Sequence, residues 1–206
     1  MTRLAFACCV VLLLASSAVA GKYNQTLNIG DAAPAWTDLP GTDGKKHSFA
    51  DFKDKELLVV VFTCNSCPVA ADYEERILDI AKKFAGPSGK VGLVAINVNK
   101  IPDDSLDKMK ERAEAKGFTF PYLYDDTQQI AKAYGANYTP EFFVADKNRR
   151  IVYMGGMDDN SKVDAVKNKY LEPAIEAALA GAEPIAKETF PRGCMIRYAK
   201  ERRTRK

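Results

Sequence analysis

Cys64 and Cys67, in the run Cys64-Asn65-Ser66-Cys67, are the residues of this chain best suited to covalent chemistry. Two thiols separated by two residues lie on one face of a helix and can close and reopen a disulfide. Only the thiolate attacks a disulfide, and a free cysteine with a pKa of about 8.5 is mostly protonated at neutral pH. A helix N-terminus corrects this, because its unpaired N–H groups and positive partial charge favour the anion. The neighbouring sequence predicts such a terminus. Leu57-Leu58-Val59-Val60-Val61-Phe62 reads as a strand buried on both faces. Beyond the cysteines, Val69, Tyr73, Ile77, Ile80 and Phe84 mark one apolar face of a helix. Cys64, expected to be the more exposed thiol, is assigned the attack on a partner disulfide, and Cys67 the resolution of the mixed disulfide. Asn65 and Ser66 add neutral polar groups, and Pro68 suits the first helical turn.

The other cysteines depend on what happens to the N-terminus. Arg3, the apolar stretch Leu4 to Ala15 and Ala18-Val19-Ala20 before Gly21 have the form of a signal peptide. Its cleavage is expected to deliver a secreted or periplasmic protein and to remove Cys8 and Cys9. No membrane span is expected in the mature chain, since the apolar stretch is short. Cys64, Cys67 and Cys194 remain. Cys194 is a candidate third redox thiol, an intermolecular link, or a buried inert residue. No bound metal is expected. Zinc takes about four ligands, and only His47 and Cys194 are available as extras, with no second close pair. His47 is the only histidine and falls in a predicted polar turn, which excludes histidine-based nucleophilic catalysis.

Composition agrees with one folded domain: 47% apolar and 28% charged residues leave no case for disorder. A net charge of +3 is too small to imply a nucleic-acid partner, and the basic run Lys200 to Lys206 reads as a solvated end. The chain divides into a leader (1–20), a domain (21–185) and a C-terminal extension with a basic tail (186–206). Further strands are expected at Val91 to Val98, Tyr122 to Tyr124, Glu141 to Ala145 and Ile151 to Met154, the last two joined as a hairpin. Helices are expected from about Ser105 to Lys116, from Thr127 to Tyr134, and along a stripe of Val163, Val166, Tyr170, Leu171, Ile175 and Leu179, with Pro173 kinking or restarting it. This alternation predicts an α/β architecture with a central mixed sheet flanked by helices.

The sequence resembles the thioredoxin-like superfamily, in particular the secreted redoxin branch of TlpA-like thiol:disulfide oxidoreductases, which neighbours the AhpC/TSA peroxiredoxins. The resemblance rests on Phe62-Thr63-Cys64-Asn65-Ser66-Cys67-Pro68 after a central strand and on Tyr138-Thr139-Pro140 before Glu141-Phe142-Phe143-Val144-Ala145, and covers roughly Ile29 to Gly181. It implies a thioredoxin-like fold, a cis Pro140 facing the dithiol, exchange with protein thiols and disulfides, and no bound cofactor. Two departures stand out. Thioredoxin carries a buried acid where this chain has Leu58, and Glu141 is the candidate substitute. The peroxiredoxin pattern places threonine or serine three residues before the attacking cysteine, where this chain has Cys64. A thiol-dependent peroxidase and a non-catalytic binding module of the same fold remain alternatives.

Overall fold

The structure is a computed structural model that describes residues 21–200; the expected leader and the end of the basic tail lie outside the described residues. A short hairpin, β1 (Leu39–Pro40) and β2 (Lys46–His47), precedes β3 (Leu57–Phe62), α1 (Pro68–Phe84) and β4 (Val91–Asn97). Then come α2 (Leu106–Lys116), β5 (Tyr122–Tyr124), α3 (Gln129–Tyr134), β6 (Tyr138–Thr139), β7 (Glu141–Ala145), β8 (Ile151–Gly155), α4 (Leu171–Leu179) and β9 (Cys194–Met195). Five strands form the central sheet in the order β5-β4-β3-β7-β8. The β3–β4 and β4–β5 pairs are parallel; β7 is antiparallel to β3, and β8 to β7. The mixed sheet is therefore present as expected, and the β7–β8 hairpin forms one edge of it.

Every residue of β3 is buried, which explains its unbroken apolar sequence. Leu57, Val59 and Val61 face a core built with Tyr73, Ile77 and Ile80 of α1 and Leu171 and Ile175 of α4. Leu58, Val60 and Phe62 face the opposite core with Trp36, Phe52, Tyr134 of α3 and Ile196. Alternation along one strand thus feeds two layers. Each fully buried aliphatic or phenyl side chain contributes on the order of 1.5–3 kcal/mol, so the strand that ends at the cysteines is firmly anchored. Leu58, where a buried acid was sought, is a fully buried core residue.

The helical stripe expected from Val163 begins only at Leu171. The chain before it forms one 3-10 turn (Val163–Ala165), and Asp159 accepts the N–H groups of Lys167 and Asn168 at 2.9 and 3.1 Å. Those bonds hold an extended segment that competes with a helix. Pro173 lies in the first turn of α4, where a missing N–H costs nothing.

Residues 186–200 of the C-terminal extension are part of the packed body. Met154 and Thr189 exchange backbone bonds with the neighbouring chain, Met154 N–H to Lys187 O and Thr189 N–H to Met154 O, both at 3.0 Å. The chain then continues to the start of β7, where β9 pairs with β6 and Ile196 enters the core. The division at residue 186 is one of sequence and not of packing.

Candidate active site

Thr63, Cys64, Asn65 and Ser66 carry the chain from the end of β3 to Cys67, the N-cap of α1. Cys67 is extended at φ −90° and ψ 115°, and its Sγ accepts the Ala70 N–H at 3.3 Å. This sulfur therefore occupies the place a serine or aspartate oxygen takes at an ordinary helix start, satisfying an otherwise unpaired donor.

The disulfide joins Cys67 to Cys194, 127 residues apart, with Cα atoms separated by 5.9 Å. Cys64 is the free thiol among the described residues. This differs from the expected Cys64–Cys67 bond. Both thiols of the motif are buried, Cys64 at 4% and Cys67 at 2% exposed, so the order expected between them holds only marginally, whereas Cys194 is half-buried. The helix start serves Cys67, and Cys64 lies before it, in the loop. Burial accordingly pushes the Cys64 thiol up from its ordinary pKa; the Thr139 hydroxyl opposes the rise, and the nearby Asp104 charge adds to it.

Thr139 touches all three cysteines. Its Oγ1 is 3.4 Å from Cys64 Sγ, its carbonyl oxygen is 3.2 Å from Cys67 Sγ, and it is the ladder partner of Cys194 between β6 and β9. In the disulfide Cys67 has no proton, so the second distance is a contact; once reduced, its thiol can donate there. The Thr139-Pro140 bond is cis, as the resemblance implied. Gly193 completes the seat, because a Cβ there would lie 2.1 Å from the Thr139 carbonyl oxygen. Close approach of two backbones is what glycine allows.

Glu141 is not a surface residue. It opens β7 opposite Phe62 and is 4% exposed. Its Oε2 accepts the N–H groups of Asn137 and Tyr138 at 2.7 and 3.0 Å. Burial pushes its carboxyl up to about 7, and those two bonds only partly offset the rise. It lines a cavity of about 520 Å³ together with Tyr138, Phe190, Met195 and Tyr198.

Two contributors were missed in the sequence. In the sequence Thr139 stands out only as the residue before Pro140. Asp104 lies in a polar run, yet it is fully buried and receives the loop between the cysteines: the N–H groups of Asn65 and Ser66 donate to its Oδ1 at 2.7 and 3.1 Å, and the Ser66 hydroxyl to its Oδ2 at 2.6 Å. Its one sequence signal is position, in Pro102-Asp103-Asp104 shortly after a central strand. His47 pairs with Asp43 at 3.0 Å, in the β1–β2 hairpin. No group of three or more His, Cys, Asp or Glu able to hold a metal occurs among the described residues, and no helix among them is long and apolar enough to cross a membrane.

Comparison with known proteins places this geometry in context. A solved structure of a hypothetical protein from Sinorhizobium meliloti superposes with a TM-score of 0.79 at 33% identity, covering 86% of this chain and 98% of that one. A Mycobacterium tuberculosis protein provisionally named a peroxiredoxin is 31% identical over 114 residues, 53% of this chain and 65% of the relative. The thiol-disulfide oxidoreductase ResA of Geobacillus thermodenitrificans is 28% identical over 125 residues, 60% of this chain and 66% of the relative. The match thus spans slightly less than two thirds of these curated relatives. The fold is thioredoxin-like. The Redoxin family model matches residues 28–170, and the chain belongs to that family.

Proposed function

We propose that the protein is an exported thiol:disulfide oxidoreductase acting on protein thiols and disulfides. The observation that carries this reading is the gathering of three cysteines around Thr139 at the start of α1, two of them bonded and one free. The name of the ResA relative supports the same class.

The oxidised state suggests its own chemistry. A partner thiolate attacks the Sγ of Cys194, the half-buried cysteine. A partner–Cys194 disulfide forms, the Cys67–Cys194 bond breaks, and Cys67 leaves as a thiolate under the Ala70 N–H and the positive end of α1. The partner's second thiolate then displaces Cys194. The partner is oxidised to a disulfide and the protein gains two electrons and two protons. The reverse sequence reduces a partner disulfide. Cys64, once ionised, attacks Cys67 instead, forming the Cys64–Cys67 bond and freeing Cys194 with no net change in electrons. Pro140 and Glu141 flank the site: the former adjoins Thr139, and the latter is a carboxyl whose pKa of about 7 suits it to hold or release a proton there.

Turnover of insulin disulfides with a dithiol donor tests the proposal. Cys67 is common to both internal pairings, so Cys67→Ser is expected to fall to the uncatalysed rate; activity at the wild-type level would refute the reading. Export rests on residues 1–20, and a mature N-terminus at Gly21 by mass spectrometry checks it.

One observation favours a second reading, peroxide reduction: Cys67 sits at the helix start with a C-terminal sulfur able to resolve it. Peroxide would convert the Cys67 thiolate to a sulfenic acid, and condensation with the Cys194 thiol would expel water and form the disulfide. Stoichiometric peroxide consumption with a dithiol donor separates the two.

A further inference from the structure

We propose that Asp104 is the positioning residue of this site, a buried carboxylate that ties the Cys64–Cys67 loop to the C-terminal strap carrying Cys194. This rests on the reading of the three cysteines as a redox site and adds the group that keeps them in register.

Asp104 accepts five neutral donors. Three come from the loop between the cysteines: Asn65 N–H, Ser66 N–H and the Ser66 hydroxyl. The other two are the side-chain amides of Asn97, at 3.1 Å on Oδ1, and Asn99, at 3.1 Å on Oδ2. Asn99 in turn accepts the Arg197 N–H on its Oδ1 at 2.9 Å. Arg197 is three residues from Cys194. An unbroken path therefore runs from the loop through Asp104 and Asn99 to the strap. Gln128 clamps the same strap, donating to Arg197 O at 3.1 Å and accepting the Ala199 N–H at 2.8 Å. A buried carboxylate is costly unless its lone pairs are occupied, and here the donors that occupy them belong to the parts that must be aligned.

The polarity of these bonds predicts what Asp104→Asn does. Two of the three donors on Oδ1 are backbone N–H groups that cannot turn, so the new carbonyl oxygen stays there. The new NH₂ then faces the Ser66 hydroxyl, which rotates to accept, and the Asn99 amide, which must flip. The flipped Asn99 points its own NH₂ at the Arg197 N–H, and the strap loses its tie. The loop keeps its bonds but loses a negative charge. Cys64 feels that charge, with Tyr122 as the other charge-coupled neighbour and Thr139, Ser66 and the Cys67 N–H as hydrogen-bond partners.

Two measurements on the full-length oxidised protein test this, and neither uses a substrate, so a protein inactive on disulfides still answers. In glutathione redox buffers, Asp104→Asn is expected to lower the ratio of Cys67–Cys194 disulfide to dithiol by about tenfold, a shift of about 30 mV. Iodoacetamide labelling of the Cys64 peptide, followed by mass spectrometry, is expected to show its pH profile moved to lower pH. Asn99→Ala removes the strap tie and one neutral donor to Asp104 but leaves the Asp104 charge and its bonds to the loop, so it should shift the glutathione equilibrium and leave the Cys64 profile in place. Wild-type values for Asp104→Asn in both measurements would overturn the proposal, as would an Asn99→Ala protein that moves the labelling profile but not the equilibrium. Should Asp104→Asn fail to fold cooperatively, Asn99→Ala decides alone: an unchanged glutathione equilibrium overturns it.

Discussion

The pairing of Cys67 with Cys194 has a thermodynamic signature that separates it from the alternative within the CxxC motif. A cross-link stabilises mainly by restricting the unfolded chain, more so for a longer loop. The observed bond spans 127 residues. The chain-entropy relation gives about 5 kcal/mol for such a loop and about 2 kcal/mol or less for the loop a Cys64–Cys67 bond would close. Residual order in the unfolded chain lowers the first figure, so oxidised protein is expected to exceed reduced protein by about 2–4 kcal/mol. Urea unfolding with and without excess dithiol reductant measures the difference directly. Cys64→Ser should keep the full reductant-sensitive gain. Cys194→Ser should keep at most the small gain available to a Cys64–Cys67 bond. If Cys64→Ser abolishes the gain and Cys194→Ser retains it, the Cys67–Cys194 assignment is wrong and the motif closes on itself.

Other consequences can be checked with the same methods. Glu141 has a folded-state pKa of about 7 against an ordinary 4.5, so its protonated form is the one the fold favours. The stability this confers is complete below about pH 4.5 and is lost as pH rises through about 7. Glu141→Gln keeps an acceptor for the Asn137 and Tyr138 N–H groups without the charge. The variant should match wild type in acid and exceed it by up to about 3 kcal/mol above pH 8; parallel stability profiles would contradict this. Gly193→Ala places a methyl group against the Thr139 carbonyl. The strap should be displaced at a cost of about 1–3 kcal/mol, lowering the yield of Cys67–Cys194 disulfide in thiol counts after oxidation. An undiminished yield would show that the strap does not need that close approach.

Much of the frame was legible because it is written in local pattern. The six apolar residues of β3, the spacing along α1 and the proline before β7 each belong to one segment and fall where expected. The pairing of the cysteines was not legible in the same way. It depends on the strap travelling from the edge of β8 to β6, and no local signal in residues 186–194 states that path. The N-cap shows a finer failure: spacing placed both thiols near a helix start but could not say which sulfur occupies the cap, and that choice decides which thiol receives a helix N–H and which is left in the loop before it. Asp104 was hidden because an aspartate in a polar run ordinarily faces water, and only the folded loop between the cysteines supplies the donors that let it be buried. Val163, Val166 and Tyr170 kept a helical spacing, but Asp159 captures the backbone that a helix would need.

One atom links the covalent state of the site to the secondary structure behind it. Cys67 Sγ is bonded to Cys194 and at the same time receives the Ala70 amide proton. When the bond opens, that proton faces a thiolate or a thiol in place of a disulfide sulfur, so the backbone resonance of Ala70 reads the electron count of the site without any added probe. The first turn of α1 is thereby a built-in gauge, tightened or loosened by chemistry at a single sulfur.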